Sequence, residues 1–262
     1  MVADSFFTVI DDRFVGTDHA RGPWDPDSCH AGPVTGLLAR ALERTLPAGR
    51  LTRITVDITR TVPMAGFSIE GSITRAGRTV STTEAVLFDQ EGRERIRARG
   101  LHIVPSELVD VPTTRDDSLP TVANAKSGPF PIRARLHGLP GLTSAVDVRY
   151  PPGQDPEPGP TTIWMRTPPL LPDEASSPFQ RMCPLADCGN AIGRNAEPAE
   201  IGFMNVDLTI VLHRDPVGEW LGSRAVSRWE PTGIGMADAL LFDRHGVVGR
   251  AVQTLLLTRQ PS

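Results

Sequence analysis

Two stretches of this chain follow one pattern: EAVLFDQEGRERIRARGLHI at residues 84–103 and DALLFDRHGVVGRAVQTLLL at residues 238–257. Each contains a Phe-Asp pair, then a glycine, then a second apolar stretch. This is typical of an antiparallel hairpin, because glycine readily adopts the positive φ of a tight turn. The Phe-Asp pairs lie 154 residues apart. Recurrence over this length indicates an internal repeat, which decides how the fold is to be predicted.

A second pair of matching stretches precedes the hairpins: ITVDITRTVP at residues 54–63 and MNVDLTIVLHRDP at residues 204–216. Their period-two alternation predicts half-buried strands. The Val-Asp pairs within them lie 150 residues apart. Two matches at nearly the same offset indicate a duplicated unit with small loop insertions. The repetition of Asp57 and Asp207 among differing neighbours favours a structural role, such as a bond to loop backbone.

Each half also contains one helix candidate ahead of its strands. Residues 32–46 are apolar at the spacing of a broad buried helix face, with Asp27 or Ser28 as the expected N-cap. Residues 177–193 form the equivalent in the second half, with Ser177 as cap. A helix this apolar needs a sheet around much of its circumference. We therefore expect an α+β fold of two similar units, each a curved antiparallel sheet wrapped round one helix.

The stretch between the two units is rich in proline. Residues 105–131 contain five prolines among polar residues, which predicts a linker rather than a helix or strand. The expected organisation is a first unit at residues 1–104, a linker at 105–131 and a second unit at 132–262.

Composition excludes several classes of protein. The 262 residues carry 27 Lys and Arg against 31 Asp and Glu, a net charge of −4, which argues against nucleic acid or an anionic membrane as the main partner. No apolar run approaches the roughly 20 residues of a membrane helix, and the acidic N-terminus is unlike a signal peptide. Cys29, Cys183 and Cys188 lack metal-type spacing, so we expect free thiols in a reducing cytoplasm and no metal. High Arg, Gly and Pro usage suggests a bacterial source.

This organisation resembles the double-hotdog fold of the acyl-CoA thioesterase II group. The resemblance is carried in the first half by FVGTDHARGPWDPDSCHAGPVTGLLARALE at residues 14–43. In the second half it is carried by PLADCGN at 184–190, GFMNVDLTIVLHRDPVGEWLG at 202–222 and VVGRAVQTLLLTR at 247–259. It covers essentially the whole chain and implies hydrolysis of an acyl thioester to a free acid and a thiol.

The resemblance also implies which residues activate the attacking water. The family uses an Asp at a helix start, a Thr before a central strand and a Gln on the last strand. By position these fall on Asp187, Asn205 and Gln253. Asn in place of Thr is a departure, although an amide can still hydrogen-bond a water. Asp187 is then the expected general base, and Asn205 and Gln253 are expected to orient the water.

Backbone amides at a helix N-terminus are expected to stabilise the oxyanion, since unpaired N–H groups point there. Gly32 and Gly189 are the candidate positions for that close approach. In the first half Arg99 occupies the position of Gln253 at the 154-residue offset, and no carboxylate stands at the helix start. We therefore expect one active site per chain, in the second unit.

His30 has several open interpretations. It is expected to be a structural or cap histidine, or to line the pocket, or to act as an acid or base. In the last case the protein would be a hotdog hydratase or dehydratase acting on acyl thioesters. A nucleophilic Cys29-His30 pair is disfavoured, because sequence neighbours do not readily form a dyad. A non-catalytic protein that binds acyl thioesters or lipids is the remaining alternative.

Further expectations follow from the resemblance. No cofactor is expected, with coenzyme A entering as part of the substrate. The expected partner is a small acyl thioester within fatty acid metabolism, with no nucleic acid and no membrane insertion. Hotdog sheets pair edge to edge, so a homodimer or a higher homo-oligomer is expected by analogy.

Overall fold

The computed structural model describes residues 5–114, 118–132 and 139–259. Four α-helices lie within these residues: α1 (Ala31–Thr45), α2 (Leu142–Ala145), α3 (Pro178–Ala186) and α4 (Gly189–Ile192). Eight strands belong to the first half: β1 (Phe7–Ile10), β2 (Arg13–Gly16), β3 (Ser28–Cys29), β4 (Arg50–Ile58), β5 (Val62–Pro63), β6 (Phe67–Arg75), β7 (Val80–Asp89) and β8 (Glu94–Ile103). The strands that follow are β9 (Lys126–Gly128), β10 (Asp147–Tyr150), β11 (Thr161–Arg166), β12 (Ile201–Asn205), β13 (Asp207–Leu212), β14 (Leu221–Trp229), β15 (Ile234–Asp243) and β16 (Gly246–Arg259).

One antiparallel sheet contains every described strand except the short pair β3–β5. Its order is β1-β2-β6-β7-β8-β4-β13-β16-β15-β14-β11-β10-β9, with β12 also pairing with β16. Helix α1 packs against β4, β6, β7 and β8, and α4 packs against β11, β12, β14, β15 and β16. A sheet that contacts a helix with so many strands must curve around it. The predicted α+β double hotdog is confirmed.

The two units join through the pairing of β4 with β13. In this register Asp57 lies directly opposite Asp207, so two residues matched by the repeat are neighbours in space. The Thr209 hydroxyl bonds the Thr55 hydroxyl at 3.2 Å two residues further along the same seam. Such pairing of equivalent residues places a two-fold pseudo-axis between the strands. The predicted structural role holds for Asp207, whose carboxylate accepts from the Thr254 amide and hydroxyl, on a strand rather than a loop.

A buried aspartate holds the hairpin turn of each unit. Asp89 accepts from the Glu91 and Arg93 amides and from the Arg95 guanidinium. Its counterpart Asp243 is likewise buried and paired with an arginine. Burial alone raises the pKa of each carboxyl, but the hydrogen bonds and the guanidinium charges outweigh it and lower the pKa of both. The repeated Phe-Asp pair therefore marks a turn anchor.

Helix α1 begins one residue earlier than predicted. His30 is its N-cap, so the prediction of Asp27 or Ser28 as the cap is wrong. Asp25 explains the difference, because its carboxylate bonds the Ser28 hydroxyl at 2.6 Å and the Asp27 amide at 3.1 Å. These residues form a turn before the helix instead of capping it.

The second predicted helix, 177–193, is interrupted. Ser177 caps α3 as predicted, accepting from the Gln180 amide at 3.1 Å. Helix α3 then ends at Ala186, and the short α4 follows after Asp187 and Cys188. Asp187 therefore lies at a C-cap between two helices, not at the start of one. Pro184 inside α3 lacks the amide proton that a continuing helix requires.

The proline-rich stretch is not free of regular structure. Lys126–Gly128 form β9, an edge strand that pairs with β10, so the prediction that 105–131 contains no strand is wrong at that point. The unit boundaries 1–104, 105–131 and 132–262 stay predictions.

The register of the two hairpins corrects one predicted equivalence. Gly100 pairs with Thr83 and Gln253 pairs with Ala237, and both lie on the buried face of the sheet. Arg99 is on the opposite face, with 70 % of its side chain exposed. Gly100, not Arg99, is therefore the counterpart of Gln253, because a shift of one residue moves a side chain to the other face of a strand.

Candidate functional site

A cavity of about 100 Å³ lies between the two units and contains most of the predicted chemistry. Its polar wall includes His30, Asp187, Asn190 and Asn205. Its apolar wall includes Trp24, Ile58, Val62, Ile96, Phe130 and Ile132. An apolar cavity wall with a few convergent polar groups is typical of a small-molecule site.

A larger and more open groove of about 680 Å³ lies elsewhere, beside β11 and α3. It contains none of the predicted site residues. Its Arg166 is paired with Asp147 at 2.7 Å and with Glu219 at 3.6 Å, so its charges satisfy one another. We therefore place the candidate site in the smaller cavity.

Close packing of α1 against α3 brings the polar groups together. A Cβ atom at Gly32 would lie 3.0 Å from the Cα and carbonyl oxygen of Pro184 and 3.1 Å from the Asp187 Cβ. Glycine at this crossing lets the backbones approach closely. The start of α1 therefore meets the end of α3 where His30 and Asp187 lie.

Asp187 is the centre of the polar wall and is 2 % exposed. Its Oδ1 accepts from Asn205 Nδ2 at 2.9 Å and from Gln253 Nε2 at 3.3 Å. The three residues that the resemblance selected are thus in direct contact, although they come from a helix end and two strands. Buried polar groups with such partners are stable where isolated ones are not.

Gln253 lies behind Asp187 and is 1 % exposed. Its Nε2 also donates to the Asp187 carbonyl oxygen at 2.9 Å, and its Oε1 accepts from the Asn190 amide at 2.9 Å. Both ends of the amide are thus occupied by the helix break. This geometry fits a side chain that fixes Asp187 in place.

Asn205 lies at the end of β12 and lines the cavity. Its Nδ2 contacts Asp187 and, at 3.4 Å, the Asp207 carbonyl oxygen. We assign the amide orientation from this network, because a carboxylate requires a donor. In that orientation the Asn205 Oδ1 is the atom left to accept from a ligand or a water.

His30 is the site residue whose contacts the sequence did not reveal. Its Nδ1 lies 3.0 Å from Asp187 Oδ2, so the cap histidine of the first unit contacts the carboxylate of the second. Its position before the helix was visible in the sequence. The pairing was not, because it depends on how two helices 157 residues apart in the chain cross.

The Gly32 amide N–H also points at the same Nδ1, at 3.1 Å, which is the N-cap contact of α1. A ring nitrogen has one in-plane position, so it cannot both accept from Gly32 and donate to Asp187. Two lone pairs at 3.0 Å would repel, so a proton must lie between His30 and Asp187. We assign it to Nδ1, because Asn205 and Gln253 already stabilise the ionised carboxylate.

Gly32 and Gly189 are close to the site but neither lines the cavity. A Cβ atom on Gly189 would lie 3.1 Å from Gln253 Oε1, so both glycines have a packing reason to be where they are. Their assignment as oxyanion donors stays a prediction.

The cysteines are poor nucleophiles in this setting. Burial raises the pKa of Cys29 to about 12 and raises the pKa of the Cys183 and Cys188 thiols well above the ordinary value. A nucleophilic cysteine needs the opposite shift. A Cys29-His30 nucleophile is therefore unsupported.

Within the described ranges, no group of three or more His, Cys, Asp or Glu residues is arranged to hold a metal ion. In the same part of the chain, no helix has the length and apolar character needed to cross a membrane.

Two family models match the chain. The acyl-CoA thioesterase C-terminal domain matches residues 112–257, more than half of the chain, and the acyl-CoA thioesterase N-terminal domain matches residues 20–103. No curated protein matches the sequence significantly.

Solved structures share the fold at low sequence identity. A candidate thioesterase from Novosphingobium aromaticivorans has a TM-score of 0.74 at 17 % identity, covering 97 % of this chain and 98 % of its own. A candidate thioesterase II from Thermobifida fusca has a TM-score of 0.72 at 16 % identity, covering 98 % and 96 %. The acyl-CoA thioesterase II TesB2 from Mycobacterium marinum has a TM-score of 0.65 at 17 % identity, covering 99 % and 97 %. At these identities the likeness concerns the fold.

Proposed function

The chain belongs to the acyl-CoA thioesterase family, and we propose that this thioester hydrolase performs its chemistry in the cavity beside Asp187. The observation that carries the proposal is the direct contact of Asp187 with Asn205 and Gln253 at the cavity wall. Three polar side chains from separate elements converge there on one small apolar chamber. Hydrolysis requires such a place, where a water and an acyl carbonyl meet with little room to move.

The acyl group occupies the apolar part of the cavity, with its thioester carbonyl facing the polar wall. Asn205 Oδ1 accepts a hydrogen bond from the attacking water, while its Nδ2 remains on the Asp187 carboxylate. Asp187 accepts the proton of the attacking water as the water oxygen bonds to the carbonyl carbon, and it returns that proton to the sulfur as the C–S bond breaks. Asn therefore performs with its two amide ends what a threonine hydroxyl would do alone.

Gln253 acts through Asp187 as a positioning residue. It fixes both the carboxylate and the backbone of the helix break. An error of about 1 Å in such a site is enough to lower a rate roughly 10²-fold. Gly32 and Gly189 are proposed to allow the close approach of backbone amides to the carbonyl oxygen.

The remaining features of the proposal rest on the family and on the composition of the chain. Coenzyme A enters as the thiol part of the substrate, and no prosthetic group is required. The protein acts in the cytoplasm of a bacterial cell, in fatty acid metabolism, as a homodimer or a higher homo-oligomer. It binds neither nucleic acid nor the membrane interior.

The test is thiol release from a panel of short, medium, long and aromatic acyl-CoA thioesters, compared with Asp187→Asn and Gln253→Ala. The native protein should release coenzyme A, and both variants should lose most of that rate while remaining folded by circular dichroism. Glu43→Gln is the matched control, because Glu43 is also a hydrogen-bonded carboxylate at the helix pair but does not line the cavity.

Two outcomes would contradict the proposal. Acyl-CoA that raises the melting temperature without any turnover would indicate a binding protein. Hydration of an enoyl-CoA without release of thiol would indicate a hydratase.

A further inference from the structure

Asp187 is poorly placed to exchange a proton with a water. Its Oδ1 accepts from Asn205 and Gln253, and its Oδ2 contacts His30. Each carboxylate oxygen is therefore engaged, and the side chain is 2 % exposed.

His30 has a ring nitrogen, Nε2, that is available to a water, whereas both carboxylate oxygens of Asp187 are engaged. Its side chain lines the cavity and is 13 % exposed. The contacts that it makes with described residues use Nδ1, and Nε2 is not among the buried polar atoms that lack a partner. With the proton on Nδ1, the lone pair on Nε2 is open to the cavity.

We propose that His30 Nε2 exchanges the proton in thioester hydrolysis, with Asp187 as its positioning residue. This inference rests on the proposed function and changes which atom takes the proton. A carboxylate that bonds one ring nitrogen fixes the tautomer and orients the other nitrogen as a base. His30 is the catalytic residue in this assignment, and it comes from the first unit.

The step balances as follows. The water oxygen bonds to the thioester carbonyl carbon as His30 Nε2 takes one water proton, leaving a tetrahedral oxyanion. The C–S bond then breaks, the oxyanion re-forms a carbonyl, and Nε2 returns the proton to the leaving sulfur. The products are a carboxylic acid, which ionises, and a thiol.

Among the described residues that line the cavity, four others are ionisable: Asp25, Cys29, Arg60 and Asp187. Burial keeps Cys29 a neutral thiol by raising its pKa to about 12. Asp25 bonds the Ser28 hydroxyl and, like Asp187, is an acid. Histidine is the side chain type that ordinarily changes charge between pH 5 and 8. An inflection of kcat/KM that is present in the native protein and lost in His30→Asn therefore reports His30.

The test is the pH profile of kcat and kcat/KM for the native protein and His30→Asn. Asparagine can cap α1 and bond Asp187 but cannot carry a proton between water and sulfur. We expect a rate loss of about 10²–10⁴-fold, loss of the inflection and an almost unchanged melting temperature. His19→Asn, outside this cavity, is the control that should keep the native profile.

Chemical rescue adds a readout that a structural histidine would not move. Added imidazole should restore part of the rate of His30→Gly, since glycine is tolerated at an N-cap. The inference is overturned if His30→Asn keeps the native rate and inflection while Asp187→Asn is inactive, and the proposed function then stands. If the native protein releases no thiol from any acyl-CoA, the proposed function fails first.

Discussion

The two ends of the α1–α3 helix pair present similar groups with different consequences. At one end His30 contacts Asp187 at 3.0 Å. At the other, Ser177 Oγ and Gln180 Nε2 donate to Glu43 at 2.9 and 2.6 Å. Burial raises the pKa of Glu43. Only the first end adjoins the cavity and the helix break. A hydrogen-bonded carboxylate can therefore act on a ligand only at the end where the cavity leaves space for one.

The last strands of the two units, β8 and β16, also differ at equivalent positions. Position 253 is a glutamine that supports Asp187, whereas its counterpart is Gly100. A Cβ atom at Gly100 would lie 2.6 Å from the Thr83 Oγ1, so the first unit has filled that space with its own side chains. His102 and Thr83 share a 2.8 Å hydrogen bond there. One duplicated frame therefore supports a polar site in the second unit and a closed core in the first.

The sharpest test of this difference replaces the carboxylate at each end of the helix pair by a neutral amide. Asp187→Asn should lower kcat by about 10²–10⁴-fold, because His30 loses the negative charge that orients it. Glu43→Gln should leave kcat within about twofold, a difference below 0.5 kcal/mol. Steady-state thiol release decides between them, and equal losses in both variants would show that the ends are not functionally distinct.

Replacing the buried aspartate of a hairpin turn tests whether this repeated residue stabilises the fold. Asp243→Asn should lower the free energy of unfolding by roughly 3–5 kcal/mol, because Arg214, which donates to Asp243 at 2.7 Å, loses its buried partner. Urea denaturation measures this. Asp238→Asn, from an exposed pair with Arg250, should cost at most about 1 kcal/mol.

The same buried aspartates determine how the free energy of unfolding changes as the pH falls. The folded pKa of Asp243 lies below its unfolded value, so its stabilisation is present above the ordinary aspartate pKa and is lost as pH falls through the folded one. Native protein should therefore lose stability below about pH 4 more steeply than Asp243→Asn. Parallel curves would contradict this role.

Removing the support behind Asp187 should cost less than removing Asp187. Gln253→Ala leaves the Asn190 amide and the Asp187 carbonyl without their partner, which costs roughly 1–3 kcal/mol of stability. We expect kcat to fall about 10²-fold through misplacement, with little change in KM. An unchanged kcat would mean that Asp187 holds its position without Gln253.

The register of the first hairpin can be tested at adjacent positions. Gly100→Ala should destabilise the protein by about 1–3 kcal/mol, because the new Cβ meets Thr83. Arg99→Ala, on the exposed face, should change stability by less than about 0.5 kcal/mol. Thermal unfolding compares the two, and the reverse order would restore Arg99 as the counterpart of Gln253.

The smallest effect is expected when Asn205 is replaced by threonine, the residue that the family has at this position. Asn205→Thr keeps a group that can donate to Asp187 and changes one neutral hydrogen bond, so kcat should change by no more than about tenfold. A loss as large as that of Asp187→Asn would show that the two ends of the Asn205 amide are both essential.

Much of the fold followed from the sequence because period, turn chemistry and repetition are local properties. Alternation placed the strands, and two offsets near 150 residues showed the duplication. The resemblance selected Asp187, Asn205 and Gln253, which the structure brings into contact. The missed details were also local: Asp25 forms a turn before α1, and Pro184 precedes the end of α3.

The sequence by itself determined that this chain is a duplicated α+β protein. The resemblance that it carries selected Asp187 at the second helix and Gln253 on the last strand as site residues. Only the tertiary structure decided that His30 meets Asp187, that Phe130 lines the cavity, and that Gly100 rather than Arg99 matches Gln253. The first depends on two backbones crossing at Gly32. The last depends on a one-residue register. Neither leaves a periodic signal, because each is set by packing between segments distant in the chain.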